Sequence, residues 1–273
     1  MKKTLALSAT VSLFALIATS AGASTSSKPA APSTKVGYAV SAALPSNVAN
    51  AQFLDQNGAS VTLGGLRGDT VFVVPILTLC PDTCPFTTGN LLQLENQLTA
   101  HHDTKVDIVA ITVDPYRDSV ARLAAYASMV GANFSLWTPV GATTTAKAPT
   151  KASGVGTGDK NANLTSVAKF FGWQVQIKQQ DKPAATDWMA PYAALTYDVS
   201  HSDGFFVINA SQQLRFIATH APQFHGTIAT NLYNFMNEGG KYTMTHPTKN
   251  GWTVAQALQA LSFVAGKSSR FME

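Results

Sequence analysis

An α/β fold with parallel strand pairing is predicted by two nearly continuous apolar runs, each followed by a stretch with helical apolar spacing. Thr70 to Leu77 and Val106 to Val113 read as strands covered on both faces, the pattern of a parallel sheet. Leu91, Leu94 and Leu98 follow the first run, and Val120, Leu123, Ala124 and Ala127 follow the second. This strand–helix–strand–helix order implies right-handed crossovers between parallel neighbours. With an N-terminal export segment set aside, about 230 residues remain, enough for one such domain with elaborations.

Residues 1–23 read as that export segment or as an N-terminal anchor. Lys2 and Lys3 precede a mostly apolar stretch from Leu5 to Ser20, and Ala21-Gly22-Ala23 offers a small-residue cleavage site. The stretch is shorter than the roughly 20 apolar residues of a membrane span; left uncleaved, it would act as a membrane tether. No cysteine follows it to carry a lipid. Residues 24–45, rich in Thr, Ser, Pro and Ala, read as a flexible tether. The domain itself is expected over 46–238, outside the cytoplasm and in the periplasm or an equivalent compartment.

Its elements follow in order. Ala51 to Leu63 reads as a β-hairpin, because Asn57-Gly58 suits the positive backbone angles of a tight turn. Pro75 interrupts the first buried strand and is expected to bend it. Pro85 suits a helix's first turn, which places Cys84 at or near the N-cap and favours its thiolate over that of Cys80. Asp114-Pro115 ends the second strand, Arg117 reads as a solvated charge, and Asp118 reads as the N-cap of the next helix. Residues 142–163 carry almost no large apolar side chain and read as a mobile insertion. A helix is expected from Leu164 to Phe171. A hairpin is expected from Phe205–Asn209 and Leu214–Ala218, turning at residues 209–212, and a last core helix from Phe224 to Met236. Residues 239–273 form a C-terminal extension with a helix over Val254–Ala265, whose role the sequence leaves open.

The chemistry concentrates in Thr78-Leu79-Cys80-Pro81-Asp82-Thr83-Cys84-Pro85, which holds both cysteines of the chain. With three residues between them and a helix starting at the second, both sulfurs can face one small volume. Such a pair can form a disulfide, as a redox couple or a plain staple, or chelate a soft metal ion. In an oxidising compartment, exposed thiols need a reductant or a metal to stay reduced. The formal charge of +4 falls to +2 without Lys2 and Lys3, too weak and scattered to argue for nucleic acid. His220, His225 and His246 beside Met244 are scattered and weaker candidates for metal binding.

Three blocks, in this order, resemble the Sco/SenC family of copper-binding, thioredoxin-like proteins. They are Cys80 to Pro85, then Thr112-Val113-Asp114-Pro115-Tyr116-Arg117-Asp118-Ser119, then Tyr197-Asp198-Val199-Ser200-His201-Ser202. With the opening hairpin, the resemblance covers roughly 51–235. It implies a thioredoxin-like central sheet flanked by helices, with the N-terminal hairpin and the C-terminal extension added. It further implies Cys80, Cys84 and His201 as ligands of a copper ion, Cu(I) or Cu(II), with the histidine on a loop leading into the strand at Phe205. Asp114 and Asp82 are the supporting carboxylates: Asp114 near the metal loop, as a site-orienting group, a partner surface or a turn cap, and Asp82 tuning affinity or stabilising the turn.

The function implied is a metallochaperone that delivers copper to the binuclear copper site of a cytochrome oxidase subunit or to another copper-receiving protein, with a thiol reductant as second partner. The alternative is an extracytoplasmic thiol–disulfide oxidoreductase in which Cys80 and Cys84 are the redox-active pair; a peroxidase is the least favoured class. Ser200 stands where the family usually has an aspartate, and Val74-Pro75-Ile76-Leu77 replaces its usual approach to the cysteines. Both departures bear on the choice of partner rather than on the ligands.

Overall fold

The computed structural model describes residues 29–142, 153–155, 161–179, 186–247 and 249–266. The expected export segment lies outside them. Strands β1 (Gly37–Ala43), β2 (Phe53–Leu54), β3 (Ser60–Val61), β4 (Thr70–Ile76), β5 (Val106–Thr112) and β6 (Ser135–Pro139) occupy the first half, with helices α1 (Ser46–Ala49), α2 (Cys84–Ala100) and α3 (Val120–Val130). Then come β7 (Ser153–Val155), α4 (Ala162–Phe171), β8 (Gln174–Gln179), β9 (Thr186–Asp187), β10 (Ala190–Ala194), β11 (Tyr197–His201), β12 (Phe206–Ile208) and β13 (Gln213–Ala218). Helices α5 (Thr230–Phe235), α6 (Glu238–Thr245) and α7 (Val254–Ala265) close the chain.

Among the described residues the main sheet runs β1-β13-β12-β4-β5-β6-β2-β3. β4, β5 and β6 pair in parallel through the α2 and α3 crossovers, as the alternating order predicts. Every residue of β4 is buried, which accounts for its unbroken apolar run. Pro75 does not interrupt the ladder: β4 stays in register with β5 through Pro75↔Ile111, and β12 pairs with β4 only as far as Val73. The missing N–H therefore leaves no partner strand unpaired. The Asn57-Gly58 hairpin forms, with Gly58 at φ 81. Helices that carry apolar spacing are closed by local chemistry: Ser119 caps α3, Asn161 caps α4, and glycines at positive φ end both.

Four sequence expectations need correction. Residues 37–43, inside the expected tether, form β1, which pairs antiparallel with β13. In the expected insertion, 153–155 pair with β8 and Asn161 caps α4; 143–152 and 156–160 lie outside the described residues. The helix expected from Phe224 shrinks to α5, because Gly226 sits at φ 145 and Gln223 bonds instead to the Trp252 carbonyl at 2.7 Å. The boundary at residue 238 is not structural, since α6 begins there and α7 packs against α2, β4, β12 and β13. Trp252 is fully buried, edge-on to Phe205 at 5.2 Å and to Phe72 at 6.1 Å. The α7 capping box, Thr253 with Gln256, sets that helix's start.

A second, three-stranded sheet, β7-β8-β11, is antiparallel throughout, and β9-β10 form a separate pair. The sheets matter for function because β4 carries the cysteine loop and β11 ends at His201.

Candidate functional site

The cysteine loop leaves the sheet after Ile76. Leu77 and Leu79 remain buried, and the Cys80 amide donates to the Leu77 carbonyl at 3.2 Å, closing a turn. Helix α2 starts at Cys84, with Thr83 as its N-cap and Pro85 in its first turn, where a missing N–H costs nothing. Both thiols are free; Cys80 is partly exposed and Cys84 is buried.

The two thiols differ in acidity. The Cys80 pKa is lowered to about 7, chiefly by the bond from the Cys84 thiol; burial opposes this, and His201 and the amides of Cys84 and Asp82 add to it. Cys84 is pushed up by the neighbouring Cys80 thiol and by burial. Sequence position alone put the acid shift on Cys84. The free amides of a helix N-terminus point back along the chain, so the sulfur they meet belongs to the loop before the helix. In the reduced protein, iodoacetamide is therefore expected to modify Cys80 first, with a rate that rises through a midpoint near pH 7. Cys84 should stay protected until unfolding. Peptide mapping after timed labelling checks this; faster labelling of Cys84, or a Cys80 midpoint at the ordinary value of about 8.5, would overturn it.

His201 is the last residue of β11 rather than a loop residue, paired with Val175 of β8. Its Nδ1 lies 2.8 Å from the Ser202 carbonyl oxygen, which can only accept, so Nδ1 carries hydrogen. Nε2 of the neutral ring then presents its lone pair 3.5 Å from the Cys84 sulfur. The Asp203 carboxylate stands 3.7 Å from Nδ1, which places a carboxylate beside the histidine although Ser200 is not one. Cys80, Asp82 and His201 line one cleft of about 190 Å³, together with Lys178, Asp198 and Asp203. Burial raises the Asp82 and Asp203 pKa values; Asp198 adds to the first and His201 opposes the second. Among the described residues no three His, Cys, Asp or Glu side chains stand together as a ready metal site. What is assembled is the Cys80–Cys84 contact and the Cys84–His201 contact.

Asp114 does not reach this cleft. It is 1% exposed, which leaves no surface for a partner, and its carboxylate accepts from the Tyr197 hydroxyl at 2.9 Å and pairs with Arg117. Arg117, expected to be solvated, is held at 13% side-chain exposure by that ion pair. Asp118 is not the helix cap, since Ser119 takes that place. It is fully buried and bonded to Thr78 and Thr112; burial and the neighbouring Asp114 raise its pKa to about 6. Sequence reading missed the parts played by Thr78, Tyr197 and Asp203. A polar residue at the end of an apolar run, as Thr78 is, was the available signal.

The SCO1/SenC family model matches residues 45–237. A Stutzerimonas stutzeri protein named for copper binding is 34% identical over 83 residues, covering 30% of this chain and 41% of that protein. The chain thus spans less than half the length of that curated relative. Among solved structures, Bradyrhizobium japonicum ScoI with copper bound is 19% identical with a TM-score of 0.46, over 74% of this chain and 99% of that one. BsSco, described as a member of the Sco family of cytochrome c oxidase assembly proteins, is 16% identical with a TM-score of 0.42, over 67% of this chain and 86% of that one.

Proposed function

The chain belongs to the SCO1/SenC family, and on that premise we propose that Cys80, Cys84 and His201 hold a copper ion for delivery to another protein. The observation that carries this reading is the His201 Nε2 lone pair facing the Cys84 sulfur at 3.5 Å, with Cys80 lining the same cleft as His201. The donor set fits a soft ion: two thiols, one of them acidified, and an imidazole whose other nitrogen is fixed by a backbone carbonyl. Thiolates suit copper(I), and the imidazole extends the set to copper(II). Bound copper supplies the cargo; the protein's part is to keep both sulfurs reduced, oriented and partly screened from water. Asp82, in the lining of the cleft, tunes that site, and Asp114 supports it through Tyr197 of the histidine strand.

The receiving partner in this reading is the copper-bearing subunit of a cytochrome oxidase, or a comparable copper acceptor, met outside the cytoplasm after export through residues 1–23. No helix among the described residues is long and apolar enough to cross a membrane. A second reading, thiol–disulfide exchange with a partner, is favoured by the acidity difference between Cys80 and Cys84. An acidified, partly exposed thiol beside a buried, protonated one is how an attacking and a resolving cysteine are arranged. Copper titration of the reduced protein tests the first reading. One copper per chain is expected, with a thiolate charge-transfer band for copper(II) that vanishes in Cys84→Ser; full-strength binding in that variant would sink the assignment.

A further inference from the structure

We propose that residues 114–118 form a brace that sets where His201 stands against the cysteine loop, with Asp118 positioning the loop and Arg117 with Asp114 positioning the histidine strand. The inference rests on the reading of Cys80, Cys84 and His201 as one site, and asks what holds its two halves together.

The need for a brace follows from topology. The cysteines sit at the end of β4 in the main sheet, whereas His201 ends β11 in the β7-β8-β11 sheet. Among the described residues no strand ladder joins the two sheets. A 3.5 Å sulfur–nitrogen contact across residues 117 apart therefore depends on side chains. The segment after β5 supplies them on both sides.

On the loop side, the buried Asp118 carboxylate accepts from the Thr78 amide at 3.2 Å, the Thr78 hydroxyl at 2.5 Å and the Thr112 hydroxyl at 2.6 Å. Trp188 donates to the Thr78 carbonyl at 2.9 Å. Thr78, two residues before Cys80, is thus held at its amide, its hydroxyl and its carbonyl. Burying a carboxylate costs several kcal/mol unless donors meet it; here three do, and all come from the strand ends that frame the loop.

On the strand side, the Arg117 guanidinium donates to the Tyr197 carbonyl at 3.0 Å and lies 3.7 Å over the Tyr197 ring. Its Nε pairs with Asp114, which also accepts from the Tyr197 hydroxyl. Carbonyl, ring and hydroxyl of one tyrosine are gripped together. Tyr197 and His201 lie four residues apart on one strand, so they share a face. Arg117 suits this task and lysine does not, because only a planar guanidinium can donate in two directions while stacking.

Each arm has its own signature in variants. Asp118→Asn and Thr78→Val loosen the loop, and either should shift the Cys80–Cys84 disulfide equilibrium against glutathione by about tenfold, with Thr78→Ser restoring it. Arg117→Lys should leave that equilibrium within about twofold of the parent, because both cysteines lie on the loop arm. It should instead weaken copper(II) binding, by no more than the roughly 10- to 100-fold that losing a direct outer partner of a ligand costs, and shift the His201 ring signals in NMR spectra of the reduced, metal-free protein. Combined with His201→Ala, Arg117→Lys should add nothing further, since the group it positions is gone.

Additive losses in that double variant would overturn the brace, as would changes in all readouts that merely track lost stability. If Asp118→Asn fails to fold, Thr78→Val and its Thr78→Ser rescue decide the loop arm, and an unchanged equilibrium there counts against it. If His201→Ala itself leaves copper binding intact, the copper reading has failed. The brace is then judged by the glutathione equilibrium and the His201 signals, and unmoved values of both would overturn it.

Discussion

Replacing His201 by alanine is expected to weaken copper(II) binding by about a hundredfold while leaving the Cys80–Cys84 disulfide able to form. Binding energies of about 10–16 kcal/mol shared over four ligands imply about 3 kcal/mol per ligand in structural zinc sites, and a loss of that size is about a hundredfold in affinity. His201 presents one donor to the site, the Nε2 lone pair, and the nearby Asp203 carboxylate lies on the Nδ1 side of the ring. The disulfide, by contrast, needs only the two sulfurs, which are free and belong to one short loop. Exchange with a small dithiol should persist, somewhat slower, because His201 is one of the groups that acidify Cys80. Competition with a copper chelator measures the first quantity and quenched thiol exchange the second. Unchanged affinity with collapsed exchange would make this histidine a redox residue and favour the oxidoreductase. If neither changes, His201 has no part in the site.

Removing residues 239–273 is expected to unfold the domain rather than trim an appendage from it. Trp252 has no exposed surface and packs on Phe205 and Phe72, and its carbonyl accepts from Asn90 of α2 and from the Gln223 amide. The α7 face behind it buries Ala257, Leu258 and Leu261. A single Trp252→Ala change should cost about 3–5 kcal/mol, a large share of a total stability of about 5–15 kcal/mol. The truncation also reaches the site, because it removes Gly240 and leaves Asn237 next to the new chain end. The Asn237 amide holds the Pro81 carbonyl at 2.9 Å, and Gly240 packs so close to that carbonyl that a β-carbon there would stand 2.9 Å from it. Urea denaturation of Trp252→Ala and of the truncated chain checks this. A truncated chain that kept the parent's midpoint would restore the tail to the status of an extension.

The contrast between these residues shows what each level of organisation decided. Periodicity and local chemistry are properties of neighbours along the chain, and they were legible: the buried runs that became β4 and β5, the apolar spacing of α2 and α3, the Asn57-Gly58 turn. The cysteine pair was legible for the same reason, since its spacing and the helix start at Cys84 are local. Caps were less secure, because Asp118 and Ser119 are adjacent and both suited to the task; burial of Asp118 against Thr78 and Thr112 left the cap to Ser119.

The tail's place in the core was not legible, because the apolar spacing of α7 says that one face is buried and not what covers it. Nor was the direction of the thiol shifts, which depends chiefly on how the two thiols meet and how deeply each is buried. His201 entered the sequence reading only through a family resemblance. Its approach to Cys84 depends on two sheets without a common ladder meeting at Tyr197, Arg117 and Thr78. By itself the sequence determined the elements and the paired thiols, because hydrophobic periodicity and turn chemistry act over a few residues. Only the tertiary structure decided which buried charges face which strand, because that pairing is set by packing between segments far apart in the chain.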